Sequence, residues 1–247
     1  MNIKILILLF FVCPVISQEV IFFPGTISTT APESDDLADI HYFFENNAAD
    51  SSGNGNDASP TDMSYGSATP AQGSNYGDFS SDDAIFQVPS GYTLGTPFSI
   101  SLWYRQNSSG GYYEMADPNR ENSNYEYWFY WLDGVAYDIE FRGYQNSTNN
   151  LSIARTNNSV WSSEYVWHHL VLTYDNGTVE FYLDGSSLTM SDATTWDTDD
   201  MKLDGTINIG RSSSMHIDDW SIYDFKLSSG QVTTLYNSGT AGTILTE

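Results

Sequence analysis

Residues 167–185, W-H-H-L-V-L-T-Y-D-N-G-T-V-E-F-Y-L-D-G, decide how this chain folds. Two runs rich in β-branched and aromatic side chains, 168–174 and 178–183, flank Asp175-Asn176-Gly177. Asn-Gly tolerates the positive φ angles of a tight primed turn, which joins antiparallel strands. The stretch therefore predicts a β-hairpin.

Short apolar runs separated by Gly, Asn, Asp and Ser continue on both sides of this hairpin. They predict strands at 40–44, 84–88, 98–105, 125–132, 137–144, 151–156, 168–174, 178–183, 206–209 and 217–224. Helical periodicity occurs only near the end, where Ser228 caps a predicted helix over 229–236. Ten or more strands in about 200 residues predict an all-β, two-sheet antiparallel sandwich rather than two small domains.

Composition limits the partners that this protein can bind. Its 247 residues include 32 Asp plus Glu and 8 Lys plus Arg, which gives a net charge of -24. Binding to a phosphate backbone or to an anionic membrane surface depends on clustered Lys and Arg. The composition therefore excludes nucleic acid and anionic membranes as partners.

The N-terminus has the three-part layout of a secretory signal peptide. A cationic start at Lys4 precedes an apolar run over 5–12, and smaller side chains over 15–17 precede Gln18. We expect cleavage near Ser17, so that residues 1–17 are a signal peptide and the mature protein is secreted. The alternative is a lipoprotein signal with an acylated Cys13. The apolar run is shorter than the roughly 20 residues of a membrane span, so no membrane insertion is expected.

Residues 18–36 contain Pro24, Pro32 and a Ser/Thr-rich stretch without an apolar period, which indicates a leader or linker. The predicted domain covers 37–240, and 241–247 form a C-terminal tail. Cleavage of the signal removes Cys13, the only cysteine. The secreted domain is therefore expected to be stabilised by core burial, or by a metal, and not by disulfides.

Four landmarks in order resemble the laminin-G-like, concanavalin A-like jelly-roll domains. These are YFFENNAADSSGNGND at 42–57, FSISLW at 98–103, WHHLVLTYD at 167–175 followed by 179–185, and IG at 209–210 followed by IDDWSIY at 217–223 and LY at 235–236. The resemblance covers roughly residues 37–237 and implies a jelly-roll sandwich. It says little about function, because this fold hosts lectins, adhesion modules and glycanases.

The resemblance also implies a structural calcium. Asp50 and Asp57 lie on one Gly-rich loop, and Asp218 lies on the last strand, which in the resembled fold runs near the first. Calcium takes six to eight oxygen ligands from flexible loops. We therefore predict Asp50, Asp57 and Asp218 as calcium ligands. The alternative is that Asn, Asp, Ser and Gly simply form a tight turn.

Residues 138–141, Asp-Ile-Glu-Phe, resemble the core of the catalytic strand of retaining β-glucanases. A strand places Asp138 and Glu140 on one face, but Ala136 stands where the nucleophilic Glu belongs. We therefore predict no glycosidase activity. His168 and His169 are adjacent on a strand and point to opposite faces, so they are predicted to pack rather than to share a ligand.

Aromatic residues are unusually dense between 112 and 131. Tyr112 and Tyr113 follow a Gly110-Gly111 loop, and Trp128 and Trp131 lie on a strand that is aromatic on both faces. Either the odd-numbered set 125, 127, 129, 131 or the even-numbered set 128, 130, 132 is in the core, and the other is outside. Flat rings suit sugar faces, so we predict Tyr112, Tyr113, Trp128 and Trp131 as carbohydrate ligands.

Five sequons predict N-glycosylation if the chain enters a eukaryotic secretory pathway: Asn107, Asn146, Asn150, Asn157 and Asn176. Together these features predict a secreted, non-catalytic carbohydrate-binding module with a structural calcium, which binds glycans or a glycosylated surface. The alternative is an extracellular structural or adhesion protein whose open face binds a protein partner. A glycoside hydrolase is the third hypothesis.

Overall fold

A computed structural model describes residues 38–81, 83–107, 111–118, 127–133, 138–145, 150–156, 165–193, 203–204, 207–210 and 215–237. All of these residues lie in one unit, 32–247. The predicted signal peptide (1–17), the leader (18–36) and the tail (241–247) lie outside the described residues. In the described ranges the sole helix has nine residues, too few to cross a bilayer.

The strands in chain order are β1 (Ile40–Tyr42), β2 (Ser59–Thr61), β3 (Ser64–Gly66), β4 (Tyr76–Phe79), β5 (Ile85–Gln87), β6 (Thr93–Leu94), β7 (Phe98–Gln106), β8 (Gly111–Pro118), β9 (Tyr127–Asp133), β10 (Asp138–Gln145), β11 (Asn150–Thr156), β12 (His168–Asp175), β13 (Thr178–Leu183), β14 (Ser186–Ser187), β15 (Met190–Ala193), β16 (Leu203–Asp204), β17 (Ile207–Ile209) and β18 (Met215–Tyr223). The helix α1 covers Ser229–Asn237. Each of the ten predicted strands and the predicted helix is present, within a few residues of its predicted bounds.

Two large antiparallel sheets form the fold. Sheet 1 has the order β14-β13-β12-β7-β18-β4-β3, with β1 also paired to β18. Sheet 2 has the order β15-β11-β10-β9-β8-β17-β5-β2, and β6 pairs with β16 in a small third sheet. The non-sequential neighbours and the antiparallel pairing confirm the predicted jelly-roll sandwich.

The core is a single cluster of buried side chains to which both sheets contribute. Leu102 and Leu172 enter it from sheet 1, and Ile139, Phe141 and Ile209 enter it from sheet 2. Because side chains alternate along a strand, the residues between them project to the outer sides of the sheets.

The quoted hairpin has the predicted turn. Asn176 and Gly177 have φ angles of 46° and 81°, as a primed two-residue turn requires. In contrast, the strand predicted over 40–44 ends at Tyr42, because Phe44 has a φ of 55° and cannot continue an extended strand.

Helix α1 covers one end of the outer side of sheet 1. Ser228 caps it as predicted: the Gln231 N–H donates to Ser228 Oγ (3.3 Å), and the Ser228 N–H donates to Gln231 Oε1 (2.9 Å). Val232 and Leu235 pack with Val171 and Tyr223 in a second apolar cluster. This end of sheet 1 is therefore closed.

Candidate functional site

Sheet 2 carries all four aromatic residues that the sequence predicts as sugar ligands. Trp128 and Trp131 lie on β9, and Tyr112 and Tyr113 lie on β8, a strand that sequence analysis did not predict. Because β8 starts at Gly111, the two tyrosines belong to the sheet rather than to the edge of a loop. β8 and β9 are direct neighbours, so the structure brings the two pairs together.

The register divides these four positions between the two sides of sheet 2. Trp131 lies opposite Tyr113 on β8 and opposite Ile139 on β10. Ile139 is fully buried in the core, and opposed positions share a face, so positions 113 and 131 are on the core side. Alternation then places the positions of Tyr112 and Trp128 on the outer side. Of the two sets left open by the sequence, the described odd-numbered positions 127, 129 and 131 are on the core side.

A row of polar positions crosses the outer side of sheet 2. We name it the sheet 2 row, and its members are Glu114 on β8, Tyr130 on β9, Glu140 on β10, Arg155 on β11 and Asp192 on β15. Each is directly opposite the next on a neighbouring strand. Since Ile139 and Phe141 on either side of Glu140 face the core, the row lies on the outer side, together with positions 112 and 128.

Glu140 and Arg155 form a charged pair at the centre of this row. Arg155 Nη2 lies 2.5 Å from Glu140 Oε2, and Arg155 Nε donates to the same oxygen at 2.7 Å. The Glu140 side chain is 0% exposed, whereas that of Arg155 is 33% exposed. Charge-assisted hydrogen bonds of this kind fix geometry, so Arg155 presents a positioned cation at the surface of an aromatic-rich sheet.

The same pair bears on the catalytic hypothesis. A retaining glycosidase needs two carboxyls about 5 Å apart that reach the glycosidic bond. Glu140 has no exposed surface and is bound to Arg155, so in this structure it cannot touch a substrate. Ala136, at the nucleophile position, lies outside the described residues.

Two of the predicted metal ligands, Asp50 and Asp57, lie together on the Gly-rich loop. Asp50 Oδ1 accepts from the His41 N–H (3.0 Å), the Ser52 N–H (3.0 Å) and Ser52 Oγ (2.7 Å), and Asp50 Oδ2 accepts from the Asn56 N–H (2.9 Å). Asp57 Oδ1 accepts from the Asp50 N–H at 2.8 Å. These bonds close the loop on itself, which is the turn chemistry of Asx motifs.

The third predicted ligand, Asp218, has different neighbours. Its Oδ2 accepts from the N–H groups of Ala71 (3.0 Å) and Gln72 (2.9 Å). Its Oδ1 and the Oε1 of Gln72 are buried without a hydrogen-bond partner among the residues that the structure describes. Burial raises the pKa of Asp218 to about 9, and the charges of Asp219 and Glu45 add to the increase.

The strand pairing that motivated the calcium prediction is present, because β1 lies beside β18. However, no group of three or more His, Cys, Asp or Glu side chains in the described ranges is arranged to hold a metal ion. The orphaned oxygens of Asp218 and Gln72 suit a cation that prefers oxygen ligands, so the donor chemistry fits calcium there. Calcium binding stays a prediction.

His168 and His169 occupy opposite faces of β12. His168 Nδ1 lies 2.7 Å from Asp184 Oδ2, whereas His169 Nε2 lies 2.9 Å from Ser101 Oγ. The His169 ring also packs 5.1 Å from the Trp103 ring, and burial lowers the pKa of His169 to about 4. The two histidines therefore share no ligand set.

The predicted glycosylation sites are only partly described. Asn176 lies in the exposed β12–β13 turn, Asn150 starts β11, and Asn107 follows β7. Asn146 and Asn157 lie outside the described residues. Whether these sequons are used stays a prediction.

The sequence pattern did not single out Arg155. It stands on a correctly predicted strand and is one of only eight Lys and Arg residues, which was the one available signal. Its partnership with Glu140 depends on the β10–β11 register, and the pattern of 137–156 does not set that register.

Several solved structures have a similar fold at low sequence identity. Domain 4 of AbnA, a GH43 extracellular arabinanase from Geobacillus stearothermophilus, in complex with arabinotriose, matches 84% of this chain and 100% of its own length (TM-score 0.62, 19% identity). The botulinum neurotoxin serotype D binding domain matches 82% of this chain and 52% of its own length (TM-score 0.63, 18% identity). The ligand-binding domain of the same serotype with N-acetylneuraminic acid matches 82% and 51% (TM-score 0.61, 19% identity).

This chain thus spans about half the length of the toxin domains and the whole of the arabinanase domain. No curated protein sequence matches it. Residues 79–233, more than half of the chain, match the Laminin_G_3 family. The chain therefore belongs to the concanavalin A-like lectin/glucanases superfamily.

Proposed function

We propose that this protein is a secreted, non-catalytic carbohydrate-binding module whose binding face is the outer side of sheet 2. The observation that carries the proposal is the Glu140–Arg155 pair, which holds a cation in register with Tyr130 and on the same side as positions 112 and 128. Aromatic positions around one fixed polar group form the usual composition of a sugar site.

Each part of this face has a role in the proposed binding. The aromatic residues at 112, 128 and 130 offer flat apolar surfaces for the faces of sugar rings. Arg155 is a hydrogen-bond donor for ring or hydroxyl oxygens, and its ion pair with Glu140 keeps the guanidinium in place before the ligand arrives. A preorganised donor costs less to immobilise on binding.

The comparisons are consistent with this proposal. The arabinanase domain holds arabinotriose, and one toxin domain holds N-acetylneuraminic acid. This chain carries a net charge of -24, which repels polyanions unless a cation bridges them. We therefore propose neutral glycans as the preferred ligands, with weak affinity at each site.

A glycan array probed with the mature protein tests this function. Trp128→Ala and Arg155→Lys should each reduce glycan retention, because one removes a ring and the other removes the two-donor geometry of guanidinium. Tyr165→Ala is the matched control, since Tyr165 is an exposed aromatic residue outside sheet 2. Retention that survives Trp128→Ala, or that falls equally in the control, would refute the sheet 2 site.

Absence of catalysis is tested on the same protein. Incubation with β-glucans should give no product above background. Turnover that disappears in Glu140→Gln would instead show that the catalytic hypothesis was the correct one.

Calcium at Asp218 together with other oxygens is part of the proposal, since Asp50 and Asp57 do not form a metal-binding group with Asp218 in the described ranges. An ion that binds only the folded state raises its stability by mass action. Chelator should therefore lower the melting temperature, and calcium should raise it less in Asp218→Asn than in the wild type. An identical melting temperature with chelator and with millimolar calcium would exclude a structural calcium.

Secretion is tested by N-terminal sequencing of the protein exported from cells that express the full chain. We expect the mature chain to begin at Gln18. A retained N-terminus with a lipid on Cys13 would support the lipoprotein alternative instead.

An adhesion protein remains the alternative function, and one observation favours it. Tyr165 (63% exposed) and Val166 (46% exposed) are adjacent and are the large apolar residues left exposed in the described ranges. Exposed apolar patches mark protein interaction sites. If Tyr165→Ala abolishes attachment to a glycan-free cell surface while Trp128→Ala does not, the adhesion hypothesis replaces the lectin one.

A further inference from the structure

The outer side of sheet 1 carries a second row of polar residues. We name it the sheet 1 row: Ser64 on β3, Asp78 on β4, His216 on β18 and Arg105 on β7, each directly opposite the next. It lies away from the part of sheet 1 that α1 covers. No predicted site residue belongs to it.

We propose that the sheet 1 row supports a second binding site, for a neutral sugar residue, in a cavity at the β3–β4 edge of the domain. The proposal is independent of the sheet 2 site, because no residue is shared between them.

Arg105 is fixed by two aromatic rings. Its guanidinium carbon lies 5.2 Å from the centre of the Tyr76 ring and 5.0 Å from that of Trp167, which are cation–π distances. Arg105 Nη1 donates to Thr69 Oγ1 at 2.9 Å, and Trp167 Nε1 donates to the Thr69 carbonyl at 2.6 Å. Rings and hydrogen bonds together leave the guanidinium little freedom.

Arg105 in turn orients His216. Arg105 Nε (3.2 Å) and Nη2 (2.5 Å) both approach His216 Nδ1. Since a guanidinium can only donate, Nδ1 must be the acceptor, and the proton of the neutral ring is then on Nε2. His216 Nε2 points at Asp78 Oδ1, 3.4 Å away. No described carboxylate forms an ion pair with Arg105.

The described contacts of the Asp78 carboxylate all involve one of its two oxygens. Its Oδ1 faces His216 and also accepts from the Ser80 N–H (3.1 Å) and the Ser80 hydroxyl. No donor from the described residues reaches its Oδ2. The carboxylate has one oxygen anchored by the protein and a second available to a ligand.

Asp78 lines a cavity of about 350 Å³ that is broadly open to solvent, with Asp62, Met63, Ser64, Ser80 and Ser81 as the other lining residues. This volume is at the small end of the range for ligand sites, which begins at about 300 Å³. Three hydroxyls and two carboxylates form its polar wall, and the partly buried Met63 adds an apolar surface.

The chemistry of this wall selects the ligand. Carboxylates accept hydrogen bonds from hydroxyl groups, and serine hydroxyls both donate and accept. Two negative charges with no cation in the lining repel anions. A small, uncharged molecule with several hydroxyls, such as one sugar residue of a neutral glycan, matches the cavity in size and polarity.

Amide NMR on the isotope-labelled mature protein tests the proposal. The probes are glucose, galactose, arabinose and N-acetylglucosamine, each titrated to millimolar concentration. At least one sugar should shift the amides of Ser64, Ser80 and Ser81 in a saturable manner. If none of the four sugars shifts these amides, the proposal is overturned.

Asp78→Asn is the diagnostic variant. It preserves shape and the anchored oxygen but removes the charge of the acceptor, so it should weaken the sugar by about tenfold, the value of one hydrogen bond to a charged group. Asp175→Asn, on the exposed β12–β13 turn, is the matched control and should bind as the wild type. Equal affinity in Asp78→Asn and wild type would also overturn the proposal.

The Trp128→Ala variant separates this site from the one on sheet 2. If it loses array binding but keeps the shifts at Ser64, Ser80 and Ser81, both sites exist. If it keeps array binding and these shifts remain, the sheet 2 function fails and the sheet 1 site stands. If Trp128→Ala removes the sheet 1 shifts, the sheet 1 site is refuted.

Discussion

Each outer sheet surface carries a row of polar residues that includes one arginine, and the two rows accommodate the charge of that arginine in different ways. On sheet 2, Arg155 is paired with a carboxylate that has no exposed surface. On sheet 1, Arg105 lies between Tyr76 and Trp167 and against a neutral His216, without a described carboxylate partner.

The difference decides what each arginine does for stability. A buried carboxylate is tolerated only while its counter-charge is present, so Arg155 is required by Glu140. Arg105 leaves no buried charge behind when it is removed, since its neighbours are rings, a hydroxyl and an imidazole. Equal charges on two faces of one domain should therefore have unequal energetic weight.

The largest effect is expected for Arg155→Ala. It removes the guanidinium that donates to the buried Glu140 carboxylate, which should lower the free energy of unfolding by about 3 to 5 kcal/mol. Urea denaturation measures this change. The double variant Glu140→Gln/Arg155→Met should recover most of the loss, because neither charge is then buried; a double variant as unstable as the single one would contradict the charge argument.

Arg105→Ala should cost less. It removes two cation–π contacts and the packing of the arginine stem, worth about 1 to 2 kcal/mol together. The same denaturation experiment applies, with Arg105→Lys expected to retain part of the stability. A loss as large as that of Arg155→Ala would contradict the expectation that the two arginines contribute unequally to stability.

The outer side of sheet 1 should also be the more acid-sensitive. Burial lowers the pKa of His169 to about 4, against 6.5 in the unfolded chain, while Asp219 and Asp184 oppose the shift. As pH falls from 6.5 to 4, His169 binds a proton in the unfolded chain but stays neutral in the folded protein. The free energy of unfolding therefore declines through this window. Ser101, Trp103 and Tyr236 are the other groups packed against the ring.

His169→Gln removes this titration. Unfolding free energies measured across pH 4 to 6.5 should therefore fall less steeply in the variant than in the wild type. Parallel pH profiles would show that His169 titrates normally and that acid acts elsewhere.

The smallest effect is expected for Asp78→Asn. Asp78 is partly exposed and keeps an anchored oxygen as Asn, so its unfolding free energy should change by no more than about 0.5 kcal/mol. A ligand-binding carboxylate can be replaced at little cost to stability, whereas a structural one cannot. A loss of several kcal/mol would assign Asp78 to the fold and weaken the case for a cavity ligand.

The local sequence pattern was sufficient to predict most of the long strands. The runs at 98–105, 168–174 and 178–183 are rich in β-branched, aromatic and other apolar residues, and the Asn176-Gly177 turn follows from positive φ angles that these two residues tolerate. The strands that sequence analysis missed carry weak patterns. β3 and β4 contain Gly66 and Gly77, and β8 begins at Gly111, and glycine is depleted in strands.

The candidate sites were harder to predict than the strands, because they depend on which strands are adjacent and which side of each strand faces the core. Tyr112, Trp128 and Glu140 stand out in the sequence. The sequence does not show which alternate residues of β9 face the core, nor that Arg155 is the partner of Glu140. The sheet 1 row was invisible, since Ser64 and Asp78 lie on two of the missed strands. Conversely, the Gly-rich loop that carries Asp50 and Asp57 was evident from the sequence. In the structure, Asp50 accepts the backbone hydrogen bonds that close this loop.

The sequence by itself determined the all-β class, the ten strongest strands, the hairpin turn, the capped C-terminal helix and the acidic charge, because these depend on neighbours within a few residues. The tertiary structure alone decided which side of each strand faces the core, which strands are adjacent and which charges meet. Glu140 meets Arg155 across 15 residues, and His216 meets Arg105 across 111. Such contacts depend on strand register over long sequence separations, and local alternation fixes a strand without fixing its partner.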